Sequence, residues 1–386
     1  MIPYGKQEIL DSDINAVVEV LKSPFITQGP KAQEFEKEVA KKVQAKFGVG
    51  FNSATSALHC AALALGLRKG DWLWTSTNSF VASANCGIYC EAKVDFVDIN
   101  PKTYNLDVKA LSLKLKHTKK HKLPKVLVVV HFAGQSCDME SIWQLSQKYG
   151  FKIIEDASHA LGGSYRKYPI GSCVFSDITI FSLHPVKIIT SAEGGIATTN
   201  SPKYAKKMQM LKSHGITKDP NDFERKKQGD WYYEQQILGF NYRLSELHAA
   251  LGLSQLKRLE NYVEKRNTLA KIYHSHLSDL ELTLPFIESY NYSAFHLYVI
   301  VLNKKSGIKQ KALFEKLINE GIGAQIHYIP IHLQPFYARF GFKKGDFKNA
   351  ESYYKHTITL PLFPTLSEQE QQKVIHLLRD CINKKA

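Results

Sequence analysis

The sequence predicts an α/β fold built on a mostly parallel, doubly wound sheet. From residue 47 to residue 157, short apolar runs alternate with helical patterns. This alternation is typical of a parallel sheet that is covered by helices on both faces. The chain has 386 residues, of which 44% are apolar. That size favours two packed domains over a single core.

The predicted sheet is assembled from strands in the order of the chain. The apolar runs that mark the first five lie at 47–51, 71–76, 94–99, 126–133 and 151–157. The helical patterns between them lie at 55–67, 82–91, 108–115 and 140–149. Two further runs, 177–183 and 195–200, have no helix between them. We therefore expect an antiparallel edge or a hairpin to join the sheet at that point.

The pattern changes in the C-terminal third of the chain. Helices dominate from about residue 203 to 280, and a smaller α+β unit follows. Its features are FHLYVIVL at 295–302, a helix at 308–321, the run AQIHY at 324–328 and a last helix that opens with the capping box SEQE. We predict a large domain over residues 1–260, which includes the N-terminal segment, and a small C-terminal domain over residues 261–386.

The formal net charge of +15 is compatible with nucleic acid, a membrane surface or an anionic small molecule. The basic residues are scattered, and their densest cluster, HTKKHKLPK at 117–125, contains no nucleic-acid-binding motif. We expect no nucleic-acid partner. His117 and His121 have the spacing of helical metal ligands, but two lysines lie between them and no carboxylate is close in sequence. A solvated loop is the favoured interpretation, and no metal site is expected.

The cellular compartment is predicted from what the sequence lacks. No run of about 18 apolar residues could span a bilayer, and the N-terminus does not have the plan of a signal peptide. The six cysteines form no C-x-x-C pair. We expect a cytoplasmic protein with no membrane partner, in which the cysteines are reduced and mostly buried.

Three strand ends carry polar residues where α/β sheets bind their ligands. One strand ends in Asp156, with His159 following; a second ends in Ser182 and His184, with Lys187 three residues later. The third closes on the stretch 52–56 and opens a helix, whose free N–H groups and hydroxyls can hold a phosphate. Each has a plainer interpretation: a cap or solvent contact, a polar strand end, and an N-cap.

An amine, a carboxylate and a phosphate site in one crevice are what pyridoxal phosphate requires. The lysine binds the cofactor covalently, the carboxylate keeps the pyridine nitrogen protonated, and the donors hold the 5'-phosphate. An apolar, partly desolvated pocket would also lower the pKa of Lys187, which would make its amine available as nucleophile and proton shuttle.

At these residues the chain resembles the sugar aminotransferases of the DegT/DnrJ/EryC1/StrS family, within fold type I of the pyridoxal phosphate enzymes. The resemblance covers nearly the whole length. The motifs that carry it, in order, are NSATSALH (52–59), STNSFVASAN (76–85), EDASHALG (155–162), FSLHPVK (181–187), EGG (193–195), NYRLSELHAALG (241–252) and HYIPIH (327–332).

The resemblance implies contacts to the cofactor. Lys187 would carry it, Asp156 would pair with its pyridinium nitrogen, His159 would lie beside the ring and Phe80 would stack on the ring.

For the phosphate, the resemblance implies Thr55, Ser56 and Ser182, joined by Asn241 of the partner subunit. It therefore implies a homodimer with shared active sites.

Substrate contacts are also implied. Arg243 would hold the carboxylate of an amino acid by a bidentate pair, with a surface ion pair as the alternative. His184 and His327 would lie near the sugar, although an exposed or hydrogen-bonded core histidine is a rival interpretation of both. Tyr4 and Thr27, in the N-terminal segment and the PFITQGP loop, are candidates for an outer wall that contacts the nucleotide sugar, with a plain loop as the alternative.

The activity implied by the resemblance is transfer of the amino group of L-glutamate to C4 of a UDP-linked 4-keto-6-deoxy-N-acetylhexosamine. Within the family, the chain is most similar to the branch that makes the 4-amino intermediate of pseudaminic acid. One alternative keeps the chemistry and changes the sugar, to a perosamine or bacillosamine-type precursor. Another, from a different class, is a regulatory protein that has kept the fold and binds nucleic acid.

Overall fold

The computed structural model describes residues 1–382. Its helices, numbered along the chain, are α1 Asp11–Leu21, α2 Pro30–Lys42, α3 Ala54–Ala64, α4 Ala82–Tyr89, α5 Val108–His117, α6 Met139–Tyr149, α7 Pro202–Leu211, α8 Glu246–Leu256, α9 Leu259–Leu277, α10 Gln310–Asn319, α11 Pro335–Ala338, α12 Lys348–Tyr354 and α13 Glu368–Ile382. Its strands are β1 Phe47–Phe51, β2 Trp72–Ser76, β3 Lys93–Val97, β4 Val126–Val130, β5 Lys152–Asp156, β6 Ser164–Tyr165, β7 Tyr168–Pro169, β8 Ile178–Ser182, β9 Gly195–Thr199, β10 Ile216–Thr217, β11 Glu234–Gln235, β12 Leu282–Thr283, β13 Asn291–Tyr292, β14 Tyr298–Leu302 and β15 Thr357–Leu360.

The central sheet has seven strands in the order β1-β9-β8-β5-β4-β2-β3. Strand β9 is antiparallel to both of its neighbours, and the other six strands share one direction. The predicted mostly parallel sheet is therefore confirmed, as is the antiparallel pairing of β8 with β9. Of the two expected arrangements, an edge or a hairpin, the structure has the hairpin of β8 and β9. Strand β9 is not an edge, because β1 pairs along its outer side, with Phe47 opposite Thr199.

Both faces of the sheet are buried, which explains the continuous apolar runs of the sequence. In β4, Val126 and Val128 belong to the hydrophobic cluster shared with α3 and α4. The intervening Leu127 and Val129 belong to the cluster shared with α5 and α6. Because strand side chains alternate between faces, the helices lie on both sides of the sheet, as predicted.

The C-terminal part forms a three-stranded antiparallel sheet, β12-β14-β15. The helix predicted at 308–321 is α10, and the run 324–328 forms one isolated bridge, from Gln325 to Thr359. The predicted capping box of α13 is confirmed: the Ser367 N–H donates to Glu370 Oε2 (2.9 Å) and the Glu370 N–H to Ser367 Oγ (3.2 Å).

Helix α9 contacts two further hydrophobic clusters, one at each of its ends. Its N-terminal residues Leu259, Tyr262 and Val263 pack in a cluster with α2 and α8. Its later residues Tyr273 and Leu277 pack with the three-stranded sheet, α10 and α13. The predicted domain boundary after residue 260 therefore lies in the first turn of a helix that both parts share, and the division itself stays a prediction.

Other expectations concern the surface and the cysteines. The cysteines at 60, 86, 90, 137 and 173 are buried, as predicted. His117 is the last residue of α5, and His121 lies in a 3-10 turn, so the stretch is not wholly the loop that we expected, although both side chains are exposed. Within residues 1–382, none of the helices combines the length and the apolar character needed to span a bilayer.

Candidate active site

A cavity of about 370 Å³ lies at the carboxyl ends of β5 and β8, against the start of α3. It contains the residues that the sequence predicted from three separate strand ends. Of the predicted site residues, those that line it are Tyr4, Thr55, Phe80, Asp156, His159, Ser182, His184, Lys187 and His327.

Lys187 lies in a turn that follows β8, where its N–H donates to the carbonyl of His184 (2.9 Å). Burial lowers the pKa of its amine from 10.5 to about 8, and the nearby Asp156 carboxylate opposes this shift. The cost of burying a cation therefore exceeds the attraction of the carboxylate. As a result, a substantial fraction of the amine is neutral, and hence nucleophilic, in mildly alkaline solution.

Asp156 ends β5 and is 5% exposed. Its Oδ2 accepts a hydrogen bond from Ser83 Oγ (2.6 Å), and its Oδ1 accepts two from Ser158, from Oγ (2.6 Å) and from the N–H (3.3 Å). Ser79 Oγ lies 2.7 Å from Ser83 Oγ. The carboxylate is a buried, oriented group that faces the cavity, rather than a solvent contact.

His159 is buried beside this carboxylate. Its Nδ1 accepts a hydrogen bond from the N–H of Ala133 (3.3 Å), so in the neutral ring Nε2 carries the proton and donates to Tyr328 Oη (3.0 Å). Burial lowers the pKa of His159 well below its usual value, and the charge of Lys187 lowers it further. The imidazole is therefore neutral and held in one orientation.

Two more histidines line the cavity and are neutral. Burial lowers the pKa of His327 to about 3, and its Nδ1 lies 2.8 Å from Thr359 Oγ1. Burial also lowers the pKa of His296 well below its usual value, and its Nδ1 has no hydrogen-bond partner among the described residues. His327 is thus a hydrogen-bonded buried histidine, as the rival interpretation held, whose ring nevertheless forms part of the cavity wall.

The start of α3 can hold an anion. Ser53 caps the helix, with its Oγ accepting from the N–H of Ser56 (3.1 Å), which leaves the N–H groups of the first turn at Ala54 and Thr55 free of intrahelical partners. A Cβ on Gly195 would lie 2.5 Å from the backbone nitrogen of Ala54. The second glycine of the EGG motif therefore allows β9 to approach this helix end. Ser56 is buried just behind the cavity wall.

The mouth of the cavity carries Phe80, which is 60% exposed and lies 6.4 Å from the ring of Tyr328. Tyr4 packs against His327 at 5.5 Å between ring centroids. These contacts connect the N-terminal segment and the start of α4 with the loop 327–332.

Four of the predicted residues do not line this cavity: Ser56, which is buried, and Thr27, Asn241 and Arg243. Thr27 and Asn241 are exposed. Arg243 lines a separate cavity of about 790 Å³ with Lys212 and Glu36. Its guanidinium donates to Ser213 Oγ (3.3 Å). The roles expected for these residues therefore stay predictions.

The comparisons with known proteins decide the family. The model of the DegT/DnrJ/EryC1/StrS aminotransferase family matches residues 7–379. The chain belongs to this family. It is 38% identical to the spore coat polysaccharide biosynthesis protein SpsC of Bacillus subtilis over 99% of the chain and 97% of SpsC. It is 36% identical to the UDP-4-amino-4,6-dideoxy-N-acetyl-beta-L-altrosamine transaminase of Campylobacter jejuni over 100% of the chain and 98% of that protein.

Solved structures support the same assignment. PseC of Helicobacter pylori, an aminotransferase involved in the biosynthesis of pseudoaminic acid, superposes with a TM-score of 0.90 at 32% identity, over 99% of both chains. Spr1654 of Streptococcus pneumoniae, assigned as a sugar aminotransferase and solved in its PLP form, superposes with a TM-score of 0.90 at 28% identity, over 99% of both chains. The protein is a pyridoxal phosphate-dependent sugar aminotransferase, and the predicted fold type I architecture is confirmed.

The residues of the aminotransferase cavity fit its cofactor. An amine of lowered pKa, a buried carboxylate and a helix N-terminus with free N–H groups line one space. Sequence reasoning missed several polar side chains of this site, among them Ser79, Ser83, Ser158, His296 and Tyr328. The i,i+4 spacing of Ser79 and Ser83 within STNSFVASAN was a usable signal. No local pattern marked His296.

Proposed function

We propose that the protein transfers the amino group of L-glutamate to C4 of UDP-2-acetamido-2,6-dideoxy-β-L-arabino-hexos-4-ulose, which releases 2-oxoglutarate. The observation that carries the transfer is the convergence of Lys187, Asp156 and the start of α3 on one cavity. The choice of sugar is supported by the similarity to the altrosamine transaminase and to PseC.

The chemistry divides between cofactor and protein. Pyridoxal phosphate supplies an electron sink when it is bound. In this proposal, Lys187 Nζ removes the proton from the α carbon of the donor in the first half of the reaction and delivers a proton to C4 of the acceptor in the second. Its lowered pKa suits both transfers near neutral pH. Asp156 would pair with the protonated ring nitrogen, His159 would lie beside the ring and Phe80 would stack on the ring.

The phosphate would be bound by Thr55, Ser56 and Ser182, with Asn241 of the partner subunit completing the site. The hydroxyls and free N–H groups at the start of α3 support the first part. The exposure of Asn241, away from the cavity of its own chain, is consistent with the second. We therefore propose a homodimer in which each active site needs both chains.

Both substrates must be recognised in turn. We propose that Arg243 binds the α-carboxylate of glutamate across the dimer interface; its fork of donors matches a carboxylate in a way that lysine does not. Replacement Arg243→Lys should then raise the KM for glutamate and leave the KM for the sugar nearly unchanged. Tyr4, Thr27, His184 and His327 would contact the nucleotide sugar, whose diphosphate is favoured by the net charge of +15.

The test is an assay of the purified protein with glutamate against a panel of UDP-, GDP- and dTDP-linked 4-keto sugars, with NMR of the product. We expect a UDP-linked 4-amino sugar of the L-altro configuration. Amination at C3, or a preference for a D-configured or GDP-linked sugar, would overturn the substrate. Salt-dependent DNA binding without turnover of any sugar would favour the regulatory hypothesis instead.

A further inference from the structure

Two buried serines from another element of the fold are linked to the carboxylate of Asp156, Ser83 directly and Ser79 through Ser83. Ser79 precedes α4 and Ser83 lies in its first turn, and they are 3% and 0% exposed. The hydroxyls lie 2.7 Å apart, and Ser83 Oγ lies 2.6 Å from Asp156 Oδ2. All three groups are almost fully buried, so solvent competes little for their hydrogen bonds and the chain Ser79–Ser83–Asp156 is a fixed part of the site.

The donors of this chain can be assigned by proton counting. An ionised carboxylate only accepts hydrogen bonds, so Ser83 donates its single hydroxyl proton to Asp156. The oxygen of Ser83 is then free to accept the proton of Ser79. The O–H···O⁻ distance of 2.6 Å is in the range of charge-assisted hydrogen bonds. The direction of the relay is therefore from Ser79 to Ser83 to Asp156.

The two oxygens of Asp156 are not equivalent. Oδ1 accepts two hydrogen bonds from Ser158, which fills both of its lone pairs. Oδ2 accepts one hydrogen bond, from Ser83, and keeps one lone pair for a ligand. Ser158 lies two residues along the same loop, whereas Ser83 comes from a different element. Ser83 is therefore the side chain that fixes where the remaining lone pair of Oδ2 points.

We propose that Ser83, supported by Ser79, is a positioning residue that leaves Oδ2 of Asp156 as the acceptor for the ring nitrogen of pyridoxal phosphate. This inference rests on the proposed role of Asp156. Without the hydroxyl of Ser83, the carboxylate can rotate or take up a water, and its hold on the protonated ring weakens. The phosphate contacts and Lys187 are unaffected, so the protein still binds the cofactor.

Two measurements test this on the full chain: the Kd of pyridoxal phosphate, by titration of cofactor-free protein, and the pH dependence of the absorption spectrum of the loaded protein. Ser83→Ala should raise the Kd about tenfold, the loss expected for one hydrogen bond to a charged group, and should shift the spectral titration. Ser79→Ala should change both less. Ser83→Thr, which keeps the hydroxyl, should restore wild-type values.

The control is Ser146→Ala in α6, which removes a buried hydroxyl that donates to the Trp143 carbonyl and does not line the cavity at Lys187. It should change neither measurement. Asp156→Asn separates the two proposals. If it leaves the Kd and the spectrum unchanged, the proposed role of Asp156 fails. A second outcome is that Asp156→Asn changes the Kd and the spectrum, whereas Ser83→Ala, like Ser146→Ala, changes neither. The positioning role of Ser83 is then overturned and the role of Asp156 stands.

Discussion

The cavity at Lys187 and the region around Arg243 differ in how much of a site one chain supplies. Around Lys187, Asp156 and His159 are buried, and each has its hydrogen-bonding atoms occupied by named partners. Around Arg243, the guanidinium has one hydrogen bond to a serine in a wide cavity, and Asn241 is exposed. One chain therefore supplies buried, oriented polar groups in the first region, whereas in the second it leaves an exposed amide and a guanidinium with one hydrogen bond.

Residues around Lys187 and residues around Arg243 therefore require different experiments. The region around Lys187, called the inner region below, is built from the ends of β5 and β8 and the start of α3. These elements hold its side chains precisely enough for chemistry on a cofactor. Asn241 and Arg243 do not line that cavity in their own chain, and we expect them to act there across an interface. A substitution in the inner region should therefore inactivate the active site of the chain that carries it. A substitution of Asn241 or Arg243 should instead impair the active site of the partner subunit.

The largest effect is expected from Lys187→Ala. Loss of a positioned proton-transfer group alone costs about 10²–10⁴-fold in rate, and Lys187 would also lose covalent attachment, so multiple turnover should disappear. Borohydride reduction of the wild-type protein should fix the cofactor to Lys187, as seen by peptide mapping. The exposed Lys120→Ala is the matched control and should retain activity. A label on another lysine would remove Lys187 from this role.

The second effect concerns the charge of Lys187 in cofactor-free protein. With its pKa lowered from 10.5 to about 8, about a hundred times more of its amine is neutral at pH 8 than for an ordinary lysine. Acylation of Lys187, followed by peptide mapping, should therefore be half-maximal near pH 8. Because Asp156 raises this pKa, Asp156→Asn should move the midpoint lower. A midpoint near that of exposed lysines would contradict the effect of burial.

The same shift has a consequence for stability. The unfolded chain keeps the proton of Lys187 up to its ordinary pKa of 10.5, whereas the folded chain releases it near 8. Between these values the unfolded state binds more protons, so the contribution of Lys187 to the free energy of unfolding rises with pH.

Much of the fold was predictable because its signals are local. The bounds of the first five strands and of the helices between them were predicted to within a few residues, because alternating strand and helix patterns can be recognised locally in the sequence. The pairing of β1 with β9 was not, because Phe47 and Thr199 are distant in sequence and neither run indicates its neighbour. The two-residue strands, such as β6 and β10, were missed because so short a ladder has no periodicity.

The residues of the candidate site likewise fall into those that local sequence patterns predicted and those that they did not. Asp156, Ser182 and Lys187 were predictable from strand ends, because the carboxyl ends of parallel strands meet at one edge. Tyr328 and Ser83 lie in the site because the loop 327–332 and α4 pack against it in the folded chain. Neither residue follows a strand end, so the sequence pattern did not indicate them. The resemblance to the family supplied roles for Asn241 and Arg243, and those roles stay predictions that require a second chain.

A third prediction tests the shared site directly. Mixing Lys187→Ala chains with Asn241→Asp chains should give mixed dimers in which one of the two sites has neither substitution. With random exchange, half of the dimers are mixed, so about a quarter of the wild-type activity should return. The measurement is activity after subunit exchange, verified by native mass spectrometry. Activity no greater than that of the two parents would place both residues in the site of one chain.

The smallest effect is expected at the helix that begins the inner region. Ser53 caps α3 with a hydrogen bond from the Ser56 N–H, and Ser201 caps α7 in the same way from the Tyr204 N–H. Each replacement by alanine should lower the free energy of unfolding by about 1 kcal/mol, measured by urea denaturation of cofactor-free protein. Only Ser53→Ala should also weaken the binding of pyridoxal phosphate, because Ser53 lines the cavity at Lys187 whereas Ser201 does not. If both variants bound pyridoxal phosphate with equal affinity, the cap of α3 would not contribute to phosphate binding. The hydrogen bonds of the inner region would then not all be needed to bind the cofactor.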